Sequence, residues 1–237
     1  MALSYLSFLL VAVGVPLLAL ATRSSTPLGE RPRETGAGIA VLVAIALVYT
    51  TPWDNALIAH GVWQYGDGTV ARRLWHAPLA EYLFVLGQSL VVGLWTCRFP
   101  AETDRPLSLP WSTRIAGAVA GLLVGAVGLA LLPSPPTLYL GAILAWAGPV
   151  LALQWGFGWP VLWAHRRRVA LAVLVPTAYF SVVDRIAIEL GIWSLSDRYT
   201  TGLALFGLPV EEALFFLVTS LFLVQGLVLY WWLVDRW

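Results

Sequence analysis

Two copies of one spaced set of residues carry most of the chemistry this chain can offer. The first reads Asp54, Gly61, Trp63, Asp67 and then Pro78-Leu79-Ala80-Glu81; the second reads Asp184, Gly191, Trp193, Asp197 and then Pro209-Val210-Glu211-Glu212. The offsets from the leading Asp to Gly, Trp and the second Asp are identical, and the step on to proline differs by one residue. Four of the six aspartates fall on this match, too many for coincidence. Carboxyl groups suit proton transfer, as acids when neutral and as bases when ionised. Inside a bilayer they are costly, and their presence there marks function.

A proline followed by glutamate at the head of an apolar run is also an ordinary helix start. Proline is pre-set for the first turn, and glutamate there interacts well with the macrodipole. Yet Glu81 and Glu212 lead at once into Leu83-Phe84-Val85 and Leu214-Phe215-Phe216, which enter lipid depth. The dipole favours the ionised form by only about 0.3–1 kcal/mol. Removal from water opposes ionisation far more strongly, so a dry site would hold a neutral acid. The repeat register pairs Glu212 with Glu81 and Glu211 with Ala80. Glu212 and Glu81 are therefore expected to face each other. Glu211, about 100° away on a helix, is expected unpartnered on the same face or against an arginine.

Asp54 and Asp184 end the preceding spans. Each alone reads equally well as a helix-end residue, and their matched positions raise the catalytic reading. Glu189 has Arg185 as its i,i+4 neighbour, and an ion pair is its expected role. Most of the thirteen tryptophans are expected in the interfacial belts. Trp53, Trp63 and Trp193 lie beside the acidic positions, where ring faces could stabilise a cation. His60, His76 and His165 have no ligand spacing, so no metal is expected. Without a glycine-rich dinucleotide fingerprint, neither flavin nor nicotinamide is expected as cofactor. All fourteen basic residues are arginine, and the absence of lysine excludes a retinal Schiff base. A net charge of +1 gives no sign of a nucleic-acid partner, and the single Cys97 excludes an intrachain disulfide.

The elements that position these residues are membrane helices. With 59% hydrophobic and 11% charged residues the chain is not a soluble domain. Apolar runs long enough to cross the hydrocarbon core fall at roughly 3–22, 36–58, 78–97, 112–132, 137–157, 168–190 and 209–233. The first is read as a retained span and not a signal peptide, because it has a repeat partner: Tyr5-Leu6 with Gly14 and Pro16 resembles Tyr139-Leu140 with Gly148 and Pro149. The expected fold is all-α and integral to the membrane. It is two parallel three-helix repeats, 1–110 and 137–237, joined by a spacer helix in 111–136 that restores the orientation of the second. Loops 23–35, 98–111 and 158–167 lie on one side and 59–77 and 191–208 on the other. Arg23, Arg31, Arg33, Arg98, Arg105, Arg114, Arg166, Arg167, Arg168 and Arg236 fall on the first side, and Arg72, Arg73, Arg185 and Arg198 on the second. The positive-inside rule then predicts a multi-pass cell-membrane protein with its amino terminus outside and its carboxyl terminus cytoplasmic.

Thr51-Pro52-Trp53-Asp54-Asn55, Pro78-Leu79-Ala80-Glu81-Tyr82-Leu83-Phe84 and Pro209-Val210-Glu211-Glu212-Ala213-Leu214-Phe215-Phe216 resemble the lycopene cyclase domain of carotenoid biosynthesis. This is the small integral-membrane type, and the single-chain form is similar to the haloarchaeal fusion. The resemblance covers the whole chain. It implies Glu81, Glu211, Glu212, Asp54 and Asp184 as catalytic candidates. Trp53, Asn55, Trp63, Pro78, Trp193, Pro209, Phe84 and Phe215 are then candidates for substrate contact. It further implies redox-neutral closure of the linear ends of lycopene, through γ-carotene, to the β-rings of β-carotene. Membrane lipid and other enzymes of the carotenoid pathway are the implied partners. The family pattern has Pro-x-Glu-Glu in both halves, and this chain has Ala80 at the first leading Glu. Either the second-half pair suffices, or a glutamate has been replaced there. Two other classes remain open on the residues alone: a carotenoid hydratase, in which water captures the cation, and a proton-coupled transporter. The gathering of acids at one depth favours a single lipid-facing site.

Overall fold

An apolar run crossing a bilayer finds no water for its backbone groups, so it must bond them within itself as a helix. Among the described residues seven helical stretches are long and apolar enough to span a membrane. The computed structural model describes residues 3–22, 28–29, 31–100 and 108–234; Arg23, Arg105 and Arg236 lie outside them. The first span is two helices, α1 (Tyr5–Ala12) and α2 (Gly14–Thr22), broken at Val13. Pro16 explains the break, since it has no N–H for the Ala12 carbonyl, and the Tyr179 hydroxyl donates to that carbonyl instead, at 2.7 Å. The other spans are α3 (Pro32–His60), α4 (Leu79–Thr96), α5 (Trp111–Leu131), α6 (Leu138–Ala164), α7 (Arg166–Glu189) and α8 (Val210–Val234). Pro32 opens α3, and Gly61 ends it in the left-handed region at φ 81°.

One expectation needs correction. Residues 158–167 are not a loop. Helix α6 runs on to Ala164 through a kink at Gly158 (φ −164°, ψ 40°), and α7 begins at Arg166. The apolar and aromatic residues Trp159 to Trp163 prolong the helix past the expected end, and Pro160 sits just after the kink. The loops 59–77 and 191–208 carry short paired strands. β1 (Trp63–Tyr65) pairs antiparallel with β4 (Trp193–Leu195), Gln64 opposite Ser194. β2 (Arg73–Leu74) turns onto β3 (Ala77–Pro78), and β5 (Ala204–Leu205) onto β6 (Leu208–Pro209). Backbone lying beside the bundle satisfies its polar groups by pairing. The β1–β4 ladder brings both loops to the same end of the bundle.

The same hydrogen bonds recur at matched positions. Tyr5 N donates to Thr69 O at 2.9 Å, and Tyr139 N to Tyr199 O at 3.1 Å. Leu79 N reaches Arg72 O at 2.9 Å, and Val210 N reaches Leu203 O at 3.0 Å. Tyr49 Oη donates to Trp146 O as Tyr179 Oη does to Ala12 O.

Helix α8 lies at the centre, packed on α3, α4, α6 and α7, and α5 packs chiefly on α6. Lipid tails give no hydrophobic drive between spans, so close backbone approach holds them together. Gly117, Gly121, Gly125 and Gly128 form the face of α5 that meets α6, and a methyl group at Gly121 would collide with the backbone of Leu151 and Ala152.

Candidate active site

The ends of α3 and α7 and the starts of α4 and α8 converge beneath the paired strands. Asp54 comes from the last turns of α3 and Asp184 from those of α7. Glu81 and Glu212 come from the first turns of α4 and α8. All four line one cavity of about 60 Å³. Its remaining walls are mostly aromatic, with Trp53, Trp63, Trp193, Phe84 and Phe215 among them. The Trp53 ring lies parallel to Phe215, 3° between planes and 5.8 Å between centroids.

Glu212 is held by one phenol and Glu81 by two, Tyr65 and Tyr5. Tyr65 Oη donates to Glu81 Oε1 at 2.6 Å, and Tyr139 Oη donates to Glu212 Oε1 at 2.9 Å. Trp63 Nε1 donates to the Tyr65 hydroxyl at 3.0 Å, which fixes that phenol in turn. Burial, and the Glu81 carboxyl beside it, hold the Tyr65 phenol well above its usual range, so it remains a donor. Trp193 Nε1 donates to Asp184 Oδ1 at 2.9 Å, while Asp184 Oδ2 is buried with no partner among the described residues. Fixed carboxyls among ring faces can deliver a proton, hold a cation and take a proton back.

Four of the sequence candidates do not line this cavity. Glu211 is fully buried, and its Oε1 accepts from Thr201 N and Thr201 Oγ1, both at 2.7 Å. Its partner is thus a loop threonine and not an arginine, and the carboxyl ties down the loop that leads to β5. Asn55 Oδ1 accepts from His76 N and Ala77 N at 2.9 Å each, clamping the β2–β3 turn to α3. Its match, Arg185, donates to Phe206 O in the β5–β6 turn and pairs with Glu189 at 2.6 Å, as its spacing predicts. Pro78 and Pro209 end the short strands and set the heads of α4 and α8. Conversely, Tyr5, Tyr65 and Tyr139 were missed. Tyr5 and Tyr139 stand in the matched Tyr-Leu pairs at the start of each repeat, and that match was the signal for them.

A family profile described as lycopene cyclase matches residues 136–231. The chain is 53% identical over 238 residues to a lycopene beta-cyclase of Halobacterium salinarum, covering the whole of both chains. It is 33% identical over 202 residues to a bifunctional lycopene cyclase/phytoene synthase of Aspergillus niger, with 80% of this chain matched to 34% of that protein. No solved structure matches. With full-length identity of that order and both carboxyl motifs around one cavity, the chain belongs to the lycopene cyclase family.

Proposed function

We propose that the carboxyl cavity is the active site of a lycopene β-cyclase. The observation that carries this is that both matched glutamates and both matched aspartates line one aromatic cavity. In this reading a carboxylic acid on one side gives its proton to C2 of the terminal double bond. A tertiary cation forms at C1, and the C5=C6 double bond attacks it to close the ring. A carboxylate on the opposite side removes the C6 proton. Bonds and protons balance without any electron acceptor, and the substrate is isomerised. The tyrosine bonds fix the carboxyls of Glu81 and Glu212 for proton exchange. Trp53, Trp63, Trp193 and Phe215 face the cation, which ring quadrupoles stabilise. Asn55 and Glu211 act as braces of the two hairpins.

The repeat organisation belongs to the same reading. Residues 1–110 and 137–237 each supply one Asp–Glu pair, and the spacer of 111–136 sets their orientation. The loop end carrying the site faces outward, with the amino terminus outside and the carboxyl terminus in the cytoplasm.

The test is turnover of lycopene by the purified protein in vesicles, with no flavin or nicotinamide added. Glu212→Gln keeps the shape and removes the proton, and losing a positioned acid or base costs about 10²–10⁴-fold in rate. Glu81→Gln is expected to fall in the same range. Near-parent ring formation by both variants would refute the assignment.

A further inference from the structure

The space beside the carboxyls does not end with them. Thr50, Val85 and Phe215 also line a second cavity, of about 80 Å³, which continues between α3, α4, α6 and α8. It follows α3 down to Leu42 and α8 down to Leu223. The Gln88 and Gln154 amide nitrogens in its wall are tied to Thr219 Oγ1 and the Phe222 carbonyl, both at 2.8 Å. Asp54 and Leu42 are separated on α3 by a depth of ~18 Å at 1.5 Å per residue.

This space opens sideways. Helix α3 packs on α4 and α8, and α6 packs on α5 and α8, but α3 and α6 hardly approach each other. Toward the carboxyl level they are joined by Tyr49 Oη to Trp146 O at 2.8 Å and Trp53 Nε1 to Ala142 O at 3.2 Å. One turn further down, Ile45 lines the cavity and is 56% exposed, which marks an opening to the lipid.

The matched space in the other half is shut. The repeat register places Phe180 opposite Thr50 and Phe216 opposite Val85. Those two rings stack at 6.0 Å, and the space they share with Leu9 and Val13, between α1, α4, α7 and α8, is only about 10 Å³.

We propose that the open cavity is a side-entry channel for one end of a linear polyene, so that the two ends of the substrate are cyclised in separate binding events. This rests on the activity proposed above. A polyene about 30 Å long, as long as the hydrocarbon core is thick, exceeds the channel, and its far part stays in the lipid between α3 and α6. The phenylalanine plug closes the matched route to the far end. To present that end, the one-ringed product withdraws, turns and re-enters. Phe215 lines both cavities.

The experiment uses the whole protein in vesicles with lycopene in large excess. The one-ringed carotene is expected to rise well above the molar amount of enzyme before two-ringed product dominates. Two-ringed product from the first turnovers, with one-ringed carotene never exceeding the enzyme, would overturn the proposal. Ala46→Phe and Val150→Phe obstruct the channel from opposite walls. They are tested on lycopene and on an acyclic analogue of about 10 Å that keeps the reacting end and stops short of Ala46, itself ~12 Å below Asp54. A misplaced substrate end costs about 10²-fold, and that loss is expected on lycopene alone. Equal losses on both substrates would overturn the proposal. Ala120→Phe, in the larger groove of about 600 Å³ along α5, α6 and α7, is expected to leave both rates unchanged. A selective loss there would move binding to that groove and overturn the channel. If the parent protein closes no ring on either substrate, the activity itself fails and the channel with it.

Discussion

Tyr139→Phe removes one oxygen atom from the site and nothing else. Tyr139 is 2% exposed, and its ring packs at 5.4 Å from Trp63 and 6.4 Å from Trp53, contacts that phenylalanine keeps. What disappears is the 2.9 Å hydrogen bond to Glu212 Oε1. A hydrogen bond to a charged group contributes about 1.5–3 kcal/mol, and leaving the acceptor buried without it costs that amount. If the bond acts on the carboxyl while it exchanges its proton, the whole of that energy appears in the barrier. At about 1.4 kcal/mol per decade, the turnover number falls about 10- to 150-fold. The assay is initial-rate ring formation in lycopene-loaded vesicles, with thermal unfolding measured in parallel. The double variant Tyr139→Phe/Glu212→Gln should lose little beyond Glu212→Gln alone, because the phenol acts through that carboxyl. A parent-like rate for Tyr139→Phe, or full additivity in the double variant, would refute the role given to the phenol.

Three other outcomes are expected. Gly121→Val wedges α5 from α6, since the backbone of Ala152 already occupies the space of a Cβ, and the melting temperature in detergent should fall with the acid site unaltered in sequence; an unchanged melt would remove the glycine stripe from the account. Ala80→Glu places a carboxyl at an 8% exposed site whose loop neighbour by register is Val70, where Glu211 has Thr201; an unpaired buried charge costs about 3–5 kcal/mol, so cyclase activity and yield should fall, and a gain on restoring glutamate would show the position to be catalytic. Reporter fusions should find the carboxyl terminus in the cytoplasm, and an external one would reverse the proposed orientation.

The spans were legible because a bilayer leaves the backbone so few options, and the four cavity carboxyls because the register of two repeats singles them out. The phenols were not. Tyr65 sits on a three-residue strand whose pairing with β4 depends on two loops meeting across 130 residues of chain. Its match by offset is Leu195, so the repeat gave no signal there. Asn55 and Glu211 belong to the motifs yet lie outside the cavity lining, since a motif records every residue a local structure needs. A clamp on a hairpin turn sits as close to the chemistry in sequence as an acid does. The extra turns of α6 lie past a kink at Gly158, where Arg114 Nη1 of α5 donates to the Phe157 carbonyl at 3.3 Å and Pro160 lies inside the helix.

In the repeat proposed above, strict duplication would give two equal half-sites, and the positions where the halves differ are the ones that would make them specific. In the reaction proposed above, proton delivery and proton removal need the same kind of group on opposite faces of one substrate, and the acids at those places match. Tyr5 and Tyr139, at matched places, each bond the glutamate of their own half, and Tyr65 gives Glu81 a second phenol, so the two carboxyls sit in unlike surroundings and can take unlike roles. The hairpins diverged together: Thr201 and Glu211 form a polar brace in one half, and Val70 and Ala80 stand as an apolar pair at the matched places in the other. Exchanging both members at once, Val70→Thr with Ala80→Glu, should therefore recover much of what Ala80→Glu alone loses. The buried carboxylate would then regain its hydroxyl and backbone donors, each such bond contributing about 1.5–3 kcal/mol. Recovery in the melting temperature of the double variant, measured against both singles, is the expected result. Strict additivity of the two losses would mean that the two hairpins are not equivalent at these positions, and that register alone does not carry a brace from one half to the other.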